Sequence, residues 1–140
     1  MESTLRNPSL AATRTSPKAM TIAYWTFTAL FCLEMSFTAY YELLPQGAQA
    51  FIRLGFLAGA FRMELSLAKL VGVAVLLIPI VPARLKEWAY AGFAINLVSA
   101  VIAHLSISDR PAALVPSSIT SVLWGLSYFF WRRLQDMQAQ

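Results

Sequence analysis

Four long apolar runs occupy most of this chain, and nothing else in it limits the fold as strongly. They extend from Thr21 to Tyr41, from Glu64 to Val81, from Trp88 to Ser108 and from Leu114 to Trp131. About 20 residues of α-helix cross the hydrocarbon core of a bilayer. A soluble bundle of 140 residues has too little interior to hide every face of four such helices, because its outer faces must meet water. The expectation is therefore an all-α bundle of four transmembrane helices. Pro45 and Gly47 stop the first run. The glycine-rich stretch from Gln46 to Met63 then predicts a short interfacial or re-entrant segment between helices one and two.

Charge content agrees with this reading. Only 13% of residues are charged while 58% are hydrophobic, against about 25% charged in ordinary soluble domains. The net charge of +4 comes from basic residues scattered between apolar runs, with no basic face or aromatic-interleaved patch, so no nucleic-acid partner is expected. Cys32, the lone cysteine, offers no internal disulfide, no redox pair and no zinc cluster. It is expected to pack as a small buried hydrophobe, and no metal site is expected.

The chain divides into a flexible polar tail over 1–20, a membrane domain over 21–132 and a C-terminal tail over 133–140. The first run is too long for a signal-peptide core, and Glu34 interrupts it without a small-residue cleavage site. Arg6, Arg14, Lys18, Arg84, Lys86, Arg132 and Arg133 flank one side of the expected membrane, and Arg53, Arg62 and Arg110 the other. That bias places both termini in the cytoplasm, with a bacterial inner membrane as the expected location and membrane lipids as the surroundings.

Three ionisable residues lie inside the runs: Glu34, Lys69 and His104. An unpaired charge at the bilayer centre costs roughly 2.5–3.5 kcal/mol even on the lenient insertion scale. Glu34 must therefore be protonated, paired or wetted, and Lys69 and Arg62 are its candidate partners. Alternating helix direction brings all three residues to one depth, near the outer side. Gly92, Asn96, Ala100 and His104 form a stripe on the third run, and Ser117, Ser121, Gly125 and Tyr128 form another on the fourth. Such stripes permit close helix approach and let polar groups satisfy one another.

The candidate catalytic residues are thus Glu34, His104 and Lys69, with Arg62, Tyr41, Asn96, Ser121 and Tyr128 as candidate substrate contacts. Structural readings stand beside these. Glu34 can serve as an assembly ion pair, Lys69 can snorkel to the interface, and His104 and Asn96 can act as interhelical hydrogen-bonders. The remaining tyrosines and tryptophans suit interfacial belts, Glu87 suits a helix N-terminus, and Arg84 and Lys86 suit cytoplasmic anchors.

Residues 69–106 resemble the DoxX-like family of small membrane proteins. The resemblance rests on Lys69, Leu70 and Gly72, on Pro79 and Pro82, on the run from Lys86 to Phe93, and on His104. Glu34 and the Tyr40-Tyr41-Glu42 region also look family-like, and the likeness extends over about residues 18–132. It implies a four-helix membrane bundle. DoxX itself is linked to a thiosulfate-to-quinone oxidoreductase, so the resemblance brings in quinone as a cofactor and a redox complex as a partner.

Three functions compete. The chain is an enzyme or enzyme subunit that uses a Glu34–His104 acid–base pair on a lipophilic small molecule or quinone. Alternatively it is a non-catalytic scaffold or assembly subunit, as a homo-oligomer or within a redox complex. The third reading is passage of a small molecule or proton along the bundle.

Overall fold

The structure, a computed structural model, describes residues 15–57 and 59–140. Most of the expected N-terminal tail lies outside the described residues. Five α-helices follow in order: α1 (Pro17–Leu43), α2 (Pro45–Arg53), α3 (Ala60–Leu77), α4 (Ala83–Ser106) and α5 (Pro111–Gln138). Proline sets most of the boundaries. Pro17, Pro45 and Pro111 open their helices at a position where the missing N–H costs nothing. Ser16 caps α1 by accepting from the Ala19 N–H at 3.3 Å.

The all-α expectation holds, but the count of four membrane spans does not. Among the described residues, only α1, α4 and α5 are long and apolar enough to cross a membrane. The physical reason lies in α3, whose 18 residues include Arg62, Glu64 and Lys69. Two of these charges are engaged with the end of α1. The segment after helix one is a regular nine-residue helix, α2, which packs on α1.

α1 packs against α3 and α5, and α4 packs against the same two helices. The stacked rings of Phe27 and Phe130, the edge-to-face contact of Phe31 with Phe93 and the ion pair Arg132–Glu87 fix the register. Sequential bundle helices are antiparallel, so α1 and α4 point the same way. The start of α1, the start of α4 and the end of α5 share one end of the bundle. The opposite end holds α2 and the α4–α5 turn.

Apolar side chains cover the outside. Leu33, Trp88 and Ile95 are about as exposed as side chains on such helices can be, at 70%, 74% and 69%. Helices apolar on all faces are what a bilayer solvates. The chain is an integral membrane protein.

The core fills only one end of the bundle. Tyr24, Phe31, Cys32, Leu76, Tyr90, Phe93 and Trp131 are buried there. Ser127 Oγ links to both Thr28 Oγ1 and Tyr90 Oη at 2.7 Å, satisfying hydroxyls where no water competes. Tyr24, Tyr90 and Trp131 were expected in an interfacial belt, yet they sit in this interior, while Trp88 faces outward. Lys86 is not a cytoplasmic anchor. It is buried, donates to the Leu76 carbonyl at 3.3 Å and lies 6.0 Å from the Trp25 ring.

Candidate functional site: a cavity at the α2 end

The other end of the bundle is hollow. A cavity of about 660 Å³ is bounded by the C-terminal halves of α1 and α4, the N-terminal parts of α3 and α5, and α2. Its walls include Glu34, Tyr41, Glu42, Lys69, Asn96 and His104. Antiparallel packing is what delivers them, since an early residue of one helix lies beside a late residue of the next.

Glu34 is half-buried, and its Oε1 accepts from Thr120 Oγ1 at 2.5 Å. The Pro116 carbonyl lies within reach of the same hydroxyl at 2.8 Å, so the two acceptors share its single hydrogen. The other oxygen of Glu34, Oε2, has no hydrogen-bond partner among the described residues.

Lys69 and Arg62 do not pair with Glu34. Lys69 forms an ion pair with Glu42, whose second carboxylate oxygen accepts from Ser66 at 3.1 Å. Arg62 donates to the backbone carbonyl of Glu42, so it holds the last turn of α1 in place and does not stand on the cavity wall. The pairing neutralises a part-buried carboxylate and a buried ammonium together, which is what a low-dielectric site demands.

His104 is fixed by the turn after α4. Ser108 adopts a left-handed backbone with φ of 50°. The Ser108 N–H reaches the Leu105 carbonyl at 3.1 Å and the Asp109 N–H reaches the His104 carbonyl at 3.0 Å. These two bonds close the helix end in a Schellman arrangement. The turn carries the Asp109 side chain back to His104, with Oδ2 2.9 Å from Nδ1. Arg53, in the last turn of α2, pairs with the same oxygen at 2.8 Å.

The His104 hydrogen bond, the Arg110 N–H and the charges of Arg53 and His104 hold the Asp109 carboxyl below the usual carboxylate range. Asp109 is therefore ionised at neutral pH and can only accept, so Nδ1 of His104 carries the hydrogen. In the neutral ring the lone pair is then left on Nε2, which has no hydrogen-bond partner among the described residues.

Of the residues singled out from sequence, Glu34, Lys69, His104, Tyr41 and Asn96 line the cavity. Arg62, Ser121 and Tyr128 do not. Ser121 donates to the Ser117 carbonyl at 2.7 Å. Tyr128 packs among Tyr90, Trp124 and Trp131 at the filled end. The small-residue stripe of α4 is not a close-approach seam either. Gly92, Asn96, Ala100 and His104 all face the cavity, and a Cβ on Gly92 would meet nothing within 4 Å. Sequence reading noted Glu42 only within the family-like Tyr40-Tyr41-Glu42 region and did not place Glu42, Thr120 or the Arg53–Asp109 pair at the site. A carboxylate next to the chain break at Pro45 and an acidic turn residue five positions after the only histidine were the available signals.

A bundle with three apolar spanning helices, a lipid-facing surface and a hollow at one end defines a small polytopic membrane protein. A family model described as the DoxX-like family matches residues 26–126. The chain belongs to that family. No curated protein and no solved structure matched it.

Proposed function

We propose that this chain binds a lipophilic small molecule in the cavity, and that Glu34 and His104 exchange protons with it. One observation carries the reading. Glu34 and His104 stand on the walls of the same 660 Å³ cavity, each anchored through one atom, with Oε2 and Nε2 left unpartnered. Purely structural polar groups in an apolar bundle would pair with each other or with backbone. The volume lies within the range of about 300–1,000 Å³ common to small-molecule pockets.

Nε2 of His104 takes a proton from the ligand, and Glu34, in its protonated form, gives one. Lys69 contributes donors whose charge Glu42 balances, and Asn96 offers an amide with no protein partner among the described residues. A quinone–quinol couple also fits the chemistry: reduction takes two electrons from a separate redox partner and two protons, which Glu34 and His104 both supply from their protonated forms, and oxidation returns them. The resemblance to DoxX favours that ligand class. Lys18, Arg84, Arg132 and Arg133 lie toward the filled end of the bundle, so the positive-inside bias turns that end to the cytoplasm and the cavity outward.

The test is binding of a benzoquinone to the purified full chain in detergent. Glu34→Gln and His104→Ala are each expected to weaken it about tenfold or more, the worth of a hydrogen bond to a charged group. Unchanged binding in both variants overturns the acid–base assignment. Unchanged binding together with a dissociated oligomer points to the assembly function.

A further inference from the structure

We propose that the cavity's ligand is a single-tailed amphiphile whose hydrocarbon tail leaves through a groove between α3 and α4. This rests on the small-molecule reading above and narrows it to a substrate class. The groove, of about 300 Å³, is a second hollow. It shares Leu65, Lys69, Gly92 and Asn96 with the cavity, so the two spaces meet at those residues.

The two spaces differ in chemistry. Beyond the shared residues, the groove is bordered by Ala68, Val71, Val75, Leu85, Ala89 and Phe93 among others, with no charged group among them. The cavity holds the carboxylates, the imidazole and the ammonium. The cavity walls are otherwise largely apolar, so what distinguishes the two spaces is this set of charged groups, and one ligand that fills both would place a polar group beside them and hydrocarbon in the groove.

Glycine shapes the passage. Gly92 stands where the spaces meet, and a Cβ there would enter open space. On the facing helix, a Cβ on Gly72 would lie 2.8 Å from the Phe93 ring. The absent side chain thus lets Phe93 lie against α3 and form part of the groove. The outer border of the groove is exposed on the lipid side, with Val71 at 64% and Trp88 at 74%. A tail in the groove therefore runs from the polar site directly into the bilayer, and the ligand enters sideways without crossing water.

Ala68 borders the groove but not the cavity, and it is exposed, so a large side chain there fills the groove without disturbing the core. The probes are a tailless dimethoxy-methyl-benzoquinone and its decyl-tailed counterpart, compared at fixed detergent concentration. Ala68→Trp is expected to weaken the tailed probe about tenfold, an effect of the size overpacking produces, and to leave the tailless probe unchanged. A second measurement needs no variant. A tailed quinone with a photoreactive group at the tail end should cross-link to Val71, Val75, Leu85 or Ala89 of the unaltered protein.

Equal effects of Ala68→Trp on both probes, or no effect on either, overturn the groove while leaving the cavity reading in place. So do cross-links confined to α1 or α5, whose residues do not border the groove. If neither probe binds the unaltered protein, the cavity reading fails and this one with it.

Discussion

The two ends of this bundle are built to opposite rules. At the filled end, rings from α1, α4 and α5 interlock, Ser127 joins the hydroxyls of Thr28 and Tyr90 while the buried Tyr24 hydroxyl has no partner among the described residues, and even the Lys86 ammonium is buried. At the α2 end, the same helices hold apart around charged and amide groups, and Gly92 faces empty space. In a membrane, apolar burial alone does not hold helices together, because lipid tails solvate them equally well. Packing and hydrogen bonds at one end must therefore carry the cohesion that lets the other end stay hollow.

The largest expected effect tests that division. Phe31 is fully buried and packs edge-on against Phe93 with ring centres 5.0 Å apart. Phe31→Ala should cost about 3 kcal/mol in a detergent unfolding titration, the lower part of the range for deleting a buried ring. Leu33→Ala, on the lipid side of the same helix, should stay within about 0.5 kcal/mol. Equal losses would mean that the filled end is not what holds the bundle.

A smaller effect sharpens the contrast within one residue type. Gly72→Ala forces a methyl against the Phe93 ring and should destabilise by about 1–3 kcal/mol. Gly92→Ala meets nothing and should be neutral or stabilising by up to about 1 kcal/mol, from helix propensity alone. Unfolding midpoints for the two variants, measured side by side, decide it. A penalty at Gly92 equal to that at Gly72 would show that the cavity closes in solution.

The smallest expected effect concerns pH. The folded protein holds the Asp109 carboxyl below its ordinary range, chiefly through the His104 hydrogen bond. Folding is therefore favoured by this carboxylate above the ordinary carboxylate pKa, and the benefit is lost as pH falls through the lowered folded value. Between about pH 5 and pH 3, the unfolding midpoint of the unaltered protein should fall slightly more than that of Asp109→Asn. Parallel profiles would show that the Arg53–Asp109–His104 tie does not contribute.

Much of the hollow end was legible in the sequence, and much of the filled end was not. Glu34, Lys69 and His104 announced themselves because a charge in an apolar run is costly, and reversing chain direction brings them to one depth. Their partners were harder to find. Lys69 pairs with Glu42 across the α2 insertion, and His104 pairs through a turn closed by a left-handed Ser108, which no spacing rule marks. The α5 stripe failed for a geometric reason. At 3.6 residues per turn Ser121 is turned about 40° from Ser117, away from the cavity that Ser117 and Thr120 line, while Tyr128, on nearly the same face as Ser117, lies about 16 Å further along the helix at the filled end. The four-span count failed because apolar pattern alone outweighed the three charges of α3. Aromatic residues near the run ends were ambiguous, since a belt residue and a core residue have the same composition; only packing separates Trp88 from Trp131.

The most direct measurement takes stability and quinone binding on the same samples of Glu34→Gln. If the α2 end is a ligand site, binding falls about tenfold or more while the unfolding midpoint stays with that of the unaltered protein. Undiminished binding with a clear loss of stability would contradict this, and would make Glu34 a strut between α1 and α5.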